Sequence, residues 1–251
     1  MHRFAVDPEV VAGGRIVLPP AQAHHVADVL RMRPGERIVL FDGRGTDYHV
    51  ELTVVAPGDV RGVVVERLAA AGAMRALRLI LVQALPKGAK MDLIVRMGTE
   101  VGIDAFLPVL TLRSIASPAP LRVERWRRIA AAAAAQSGRS AVPAVEPPRP
   151  LAEVWPLLSG SLCVMPWEEE QARSIAAALT AAPAAPSVAL LIGPEGGWDA
   201  EEVQAARAQG AHVVSLGPLT LRAETAGIVA AAMVLYELTL RQGPLIGPGR
   251  A

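Results

Sequence analysis

Leu190-Leu191-Ile192-Gly193-Pro194-Glu195-Gly196-Gly197-Trp198-Asp199 reads as a buried strand that runs into a glycine-rich loop and then opens a helix. Asp199 and Glu202 have the spacing of a helix-capping box. Glycines leave room for backbone to approach a ligand, and parallel sheets bind ligands at the carboxyl ends of their strands. An ordinary strand-to-helix turn has the same local pattern. A second turn of this kind follows at Ser215-Leu216-Gly217-Pro218, leading through Leu219-Thr220-Leu221-Arg222-Ala223-Glu224-Thr225-Ala226-Gly227. Arg222, Glu224 and Thr225 fall at a helix N-terminus, where backbone donors lack partners. The helix dipole alone also suits Glu224 there.

Outward from these turns, strand and helix alternate. Strands are predicted at 77–85, 105–112, 161–166, 187–192 and 212–216, and helices at 91–101, 121–137, 171–179, 200–209 and 224–241. The strands are near-continuous apolar runs, as in a parallel sheet buried on both faces. A proline-rich connector is expected over 143–150. The first 70 or so residues read differently, as a small β-rich module. Its predicted strands are 15–19, 36–41, 48–55 and 60–68, with one helix over Ala21–Met32. That helix carries a stripe of His25, Val29 and Met32. A linker is expected at 69–73.

The composition excludes several classes. A hydrophobic share of 52% over 251 residues supports a real core rather than disorder. Net charge is +1, so attraction for nucleic acid must come from local clusters. Such clusters are Arg31, Arg33 and Arg37; Lys87 and Lys90; and Arg122, Arg125, Arg127 and Arg128 followed by Arg139. A solvated helix face is the ordinary meaning of the last group, with Trp126 and Ile129 packed behind it. The single cysteine, Cys163, excludes an intrachain disulfide and a multi-cysteine zinc site, and reads as an inert core thiol. Adjacent His24 and His25 point roughly 100° apart on a helix and make no chelating pair; one is expected to pack and one to face solvent. Gly43-Arg44-Gly45 lacks the third glycine of a dinucleotide fingerprint and reads as a hairpin turn. Met1–Glu9 has no apolar signal core. The longest apolar run, Ala226–Tyr236, falls short of the roughly 20 residues a bilayer requires. A cytoplasmic protein with no metal and no membrane partner is the expectation.

Further segments complete a pattern: His24-His25 with Val29-Leu30-Arg31, Phe41-Asp42-Gly43, Leu85-Pro86-Lys87-Gly88 with Lys90-Met91-Asp92, Arg113-Ser114, Glu124-Arg125-Trp126 and Gln136-Ser137-Gly138-Arg139. With the two glycine turns, in this order, the chain resembles the RsmE-type 16S ribosomal RNA methyltransferases, which modify uridine at N3. It departs from the usual pattern at Ala89, Leu112, Trp198-Asp199, Leu219 and Thr220, none of which removes a loop glycine.

The resemblance implies an α/β protein. A PUA-like, RNA-binding β-barrel would occupy residues 1–72. A SPOUT methyltransferase domain would follow over 73–251, with a mostly parallel sheet and a deep trefoil knot, a rare exception to unthreaded topology. It implies a homodimer with an active site drawn from both subunits, S-adenosyl-L-methionine as cofactor, and the 16S rRNA of the small ribosomal subunit as partner. The implied cofactor residues are Met165, Pro166, Leu191, Ile192, Gly193, Pro194, Gly196, Gly197, Ser215, Leu216, Gly217, Leu221, Thr225 and Ala226. Those implied for RNA are His24, Arg31, Lys87, Lys90, Arg113, Arg125 and Arg128.

The implied reaction displaces a methyl group from a sulfonium by a ring nitrogen. The sulfonium is already activated, so the protein supplies mainly position and electrostatics. A uracil imide attacks well only once deprotonated, when charge spreads onto its carbonyl oxygens. A guanidinium fork suits that charge. Arg222 is the first candidate and Arg139 the second, the latter from the other subunit. Glu195 or Glu224 accepts the proton or orients the arginine. Two other readings remain open: another SPOUT enzyme, such as a tRNA ribose methyltransferase, and a non-catalytic RNA-binding or ribosome-assembly protein.

Overall fold

The computed structural model describes residues 1–69, 77–114 and 120–242. Two compact units result. One gathers residues 1–69 with 130–142, the other 77–114 and 120–129 with 143–242.

The first unit is a five-stranded sheet in the order β1-β3-β4-β5-β2. Its strands are β1 (Arg3–Ala5), β2 (Arg15–Val17), β3 (Arg37–Phe41), β4 (Thr46–Ala56) and β5 (Asp59–Ala69). All neighbours pair antiparallel except β1 with β3. Alternation decides which side chains go inward: Ile38 and Leu40, Val50 and Leu52 are buried in one cluster with Ile16 and Val60. Each such burial contributes about 1.5–3 kcal/mol. The hairpin expected at Gly43–Gly45 is present, with Asp42 Oδ1 accepting from the Arg44 and Thr46 N–H groups at 2.8 and 3.1 Å. Residues 139–142 belong with this unit. Arg3 Nη2 donates to Ser140 Oγ at 3.1 Å while pairing with Asp47, and the Val142 N–H donates to Gly43 O at 3.0 Å.

The helix expected over Ala21–Met32 is shorter and changes type. After α1 (Pro8–Val11), α2 covers Pro20–His24 and continues as a π-turn over His25–Val29. The Leu30 N–H reaches back to His25 O at 2.9 Å, so the wider turn breaks the 100° rotation on which the stripe depended. Val29 is consequently 57% exposed, and Ala23 and Val26 fill the core instead. Both histidines are exposed, rather than one of them. His24 Nδ1 lies 2.7 Å from Asp28 Oδ2, and the His25 ring stands edge-on to Phe4. Arg31 then takes φ +53°, just before Pro34 ends any helical continuation.

The second unit holds an all-parallel sheet. Its strands are β6 (Arg78–Ala84), β7 (Ala105–Leu110), β8 (Ala144–Val145), β9 (Arg149–Pro150), β10 (Leu162–Pro166), β11 (Ser187–Ile192) and β12 (His212–Val214). The order is β12-β10-β11-β6-β7-β8, with β9 also on β7. Helices α3 (Lys90–Val101), α5 (Ile175–Ala181), α6 (Ala200–Ala208) and α7 (Ala223–Gln242) cover it, and α4 (Pro120–Ser137) supplies the arginine-rich helix. On one face Ile80, Val82, Ala189 and Leu191 pack with Val203 and Ala206 of α6. On the other, Leu81 and Gln83 meet α7 at Gly227. Apolar burial on both faces explains the unbroken hydrophobic runs.

Among the boundaries that differ from expectation, three have a visible cause. The 143–150 connector carries two short strands, because its extended prolines sit at the sheet edge on β7. Helix α5 starts at Ile175, not 171. Glu170 Oε1 accepts from the Ala172 and Arg173 N–H groups, and Ser174 caps the helix. Strand β12 stops at Val214 because the Ser215 N–H turns to Arg173 O at 2.8 Å. The linker expected at 69–73 lies, apart from Ala69, outside the described residues.

Candidate active site

Strands β12, β10 and β11 are adjacent and parallel, so their carboxyl ends open on one side. There a cavity of about 430 Å³ is bounded by Pro166–Glu168, Ile192–Glu195, Gly197, Trp198, Ser215–Gly217, Leu219–Ala223, Ala226 and Lys90. The two glycine turns therefore close on the same space.

Each turn is fastened by local chemistry. The capping box forms: the Asp199 N–H donates to Glu202 Oε2 at 3.0 Å, and Asp199 Oδ1 accepts from the Glu201 N–H. That backbone bond, joined by Arg113 at 2.9 Å, holds the Asp199 carboxyl below its ordinary range. Arg113 also donates to Gly196 O at 3.0 Å and so braces the loop from outside. Gly197 has φ +70°, and a Cβ there would run into the Glu168 carboxylate. A Cβ on Gly193 would press on the buried Trp198 ring at 3.3 Å. The positive φ favours glycine at position 197, and at position 193 any side chain would need the Trp198 ring to give by a few tenths of an ångström. In the second turn Ser215 Oγ accepts from the Gly217 N–H at 3.2 Å, and Gly217 has φ +117°.

Lys90 links the turns. Its Nζ is 2.9 Å from Glu195 Oε1 and 3.3 Å from Glu224 Oε2. Glu224 Oε2 is buried without an aligned hydrogen bond, so that second contact is Coulombic. Burial pushes the Glu195 carboxyl up, but hydrogen bonds from Lys90 and from backbone N–H groups, including that of Lys87, outweigh it and hold the group acidic. The Glu195 bond correspondingly raises the Lys90 ammonium. Arg222 lines the cavity with an exposed side chain that takes no ion pair among the described residues.

Of the residues singled out for a cofactor, Pro166, Ile192, Gly193, Pro194, Gly197, Ser215, Leu216, Gly217, Leu221 and Ala226 line the cavity. Met165 and Leu191 lie behind it, fully buried in the core. Gly196 faces Arg113, and Thr225 is exposed on the first turn of α7. Of the catalytic candidates, Arg222 and Glu195 are on the wall and Glu224 is one ammonium away. Arg139 belongs to the first unit and is not among the lining residues. Lys90, singled out for RNA, is on the cavity wall, and the Lys87 side chain is exposed beside it. Arg125 pairs with Asp92 at 2.8 Å and Arg128 lies on the exposed face of α4, over the buried Val123 and Trp126. His24 and Arg31 are in the first unit. Sequence reasoning left Glu168, Trp198, Leu219, Thr220 and Ala223 out of the site, and all five are on the wall. The strand-end run Trp167-Glu168 was the available signal for the first. Cys163 is buried, and burial pushes its thiol up to about 11, as an inert core group should be. Among the described residues, no three His, Cys, Asp or Glu side chains gather as a metal site would need.

Known proteins share this architecture. A family model described as an RNA methyltransferase domain matches residues 73–235, and one described as an RNA methyltransferase PUA domain matches residues 18–65. The ribosomal RNA small subunit methyltransferase E of Mycobacterium tuberculosis is 34% identical over 92% of this chain and 90% of its own length. That of Synechocystis is 33% identical over 93% of this chain and 77% of its own. The crystal structure of the Neisseria gonorrhoeae ribosomal RNA small subunit methyltransferase E, bound to S-adenosyl methionine, superposes with a TM-score of 0.83 at 30% identity, covering 94% of this chain and 97% of that one. Since these likenesses run through both units, the chain belongs to the ribosomal RNA small subunit methyltransferase E family.

Proposed function

We propose that this protein transfers the methyl group of S-adenosyl-L-methionine to N3 of a uridine in the 16S rRNA of the small ribosomal subunit. The cavity between the two glycine turns is the observation that carries this reading. Its volume falls in the range of about 300–1,000 Å³ usual for small-ligand sites. Its lining suits an adenosyl group: Ile192, Leu216, Leu221 and Ala226 give apolar contact, and Gly193, Gly197 and Gly217 expose main chain to a nucleobase edge.

When bound, the cofactor supplies a methyl group activated by its sulfonium. The protein's residues do the rest. Arg222 offers its guanidinium to the carbonyl oxygens of a uracil that has lost its N3 proton. Lys90 fixes Glu195 and, through Glu224, the start of α7. Glu195 accepts from the Lys90 ammonium and the Lys87 N–H, an arrangement that suits orienting those donors.

We assign residues 1–72 and the exposed arginines of α4 to RNA contact, and residues 73–251, with a trefoil knot, to methyl transfer. We also assign the protein to a homodimer working in the cytoplasm on ribosomal RNA. Residues Ala223–Leu240 of α7 are long and apolar enough to cross a membrane by length and composition. Yet α7 carries Glu224 and Glu237 and packs on α3, α5, β6 and β11. Its exposed stripe of Met233, Tyr236 and Leu240 (39, 64 and 62% exposed) suits a second copy of the chain. Tyr236→Glu should turn a dimer into a monomer by light scattering; a dimer unchanged by it would remove this face from the interface.

The test of function is labelled methyl transfer to small subunits lacking the modification, then nuclease digestion and mass analysis. N3-methyluridine is expected. A ribose-methylated nucleoside would overturn the N3 assignment, and no transfer to RNA would overturn the reading.

A further inference from the structure

Two charged side chains on the cavity wall, Arg222 and Glu168, are exposed at its mouth and take no ion pair or side-chain hydrogen bond from the described residues. The other wall carboxylate, Glu195, already holds Lys90. The backbone that carries Glu168 is anchored on both sides. On one side the Trp167 N–H donates to Val214 O at 3.0 Å, and the Arg207 guanidinium lies over the Trp167 ring. On the other, Glu170 is fixed by the Ala172 and Arg173 N–H groups. The Glu168 carboxylate leans over the glycine loop at Gly197, whose φ of +70° disfavours any other residue.

We propose that Glu168 is the residue by which the cavity distinguishes the charged methyl donor from its spent, neutral product. This rests on the reading of the cavity as an S-adenosylmethionine site. With the adenine against the apolar interior, the methyl group must face the mouth, where a base can reach it. A sulfonium offered to a base from that side would pass beside the exposed side chains of Glu168 and Arg222, which line the cavity. A carboxylate with no partner among the described residues attracts that sulfonium, and a guanidinium likewise free among them attracts the uracil anion. Transfer removes both reacting charges at once: the methyl passes to N3, and the C–S bonding pair stays on sulfur as a thioether. Glu168 then loses its partner while the rest of the nucleoside is unchanged, so affinity falls after the reaction and the product leaves.

The experiment is calorimetric titration of the full chain and its Glu168→Gln variant with S-adenosylmethionine, S-adenosylhomocysteine and sinefungin, whose amine replaces the charged centre. The substitution should weaken S-adenosylmethionine and sinefungin by about fivefold, the scale of a solvent-exposed ion pair. S-adenosylhomocysteine should stay within about twofold, since it never had that pair. Added salt should shrink the difference, and Glu168→Asp should restore much of it. Equal weakening of all three would mean that Glu168 touches a group they share, and would overturn the proposal. So would three unchanged affinities. Failure of the unaltered chain to bind any of them would instead overturn the cofactor reading itself.

Discussion

The Lys90 ammonium sits 2.9 Å from Glu195 Oε1, tying the start of α3 to the first glycine turn. Glu224 on the same ammonium, at 3.3 Å, brings in the second. Removing the cation leaves two neighbouring carboxylates to repel each other. Lys90→Met should therefore weaken S-adenosylmethionine by about tenfold, the scale of one charge-assisted contact. Lys90→Arg should recover part of it. Calorimetry checks both, and an affinity that ignores the loss of Lys90 would show that the loops hold without it.

The acidity of Glu195 fixes a pH dependence. Its folded-state value is depressed, so its contribution is complete above the ordinary carboxylate value of about 4.5 and fades as pH falls through the folded one. The Glu195 contribution to folding stability should be constant from about pH 8 to 6 and be lost only in acid, read as a Tm difference from Glu195→Gln that closes at low pH. The rate of methyl transfer should rise with pH as uracil deprotonates. A rate profile whose inflection disappears in Glu195→Gln would instead make Glu195 the base.

Arg222 faces the cavity without an ion pair among the described residues, so its charge is available to the substrate. Arg222→Ala should lower kcat by about 10²–10³, as losing a preorganised donor does. Cofactor affinity should change little. Single-turnover kinetics with calorimetry separates the two, and normal turnover in this variant would end the assignment.

On α4, Arg125 and Arg128 face outward while Val123 and Trp126 are buried. Replacing both arginines by alanine should weaken binding to 16S rRNA and reduce the salt slope by roughly one unit per lost phosphate contact. Filter binding across a salt series measures this. An unchanged slope would take α4 out of the RNA surface.

Much of this was legible from residues alone. Strand β11 ends where its apolar run meets Gly193, because a strand buried on both faces must be apolar throughout and the loop must not be. The capping box at Asp199 and Glu202 is a local motif, and it forms as spaced. The stripe through His25 and Val29 misled because a π-turn alters the rotation per residue without leaving a mark in composition. Helix α5 begins late because Glu170 captures two backbone donors, a side-chain choice invisible to periodicity. Lys90 read as a surface cation for RNA. Its place between two carboxylates distant in sequence depends on how α3 meets the loops, which is a tertiary fact. Glu168 was passed over for the same reason: a glutamate after a strand looks solvated until Gly197 is found beneath it.

The most direct test is a crystal structure of the full chain soaked with S-adenosylmethionine. Density for the adenine should lie between Ile192–Gly193 and Ser215–Gly217, with the methyl group toward Arg222. Adenosyl density elsewhere, or an empty cavity at saturating cofactor, would contradict the account.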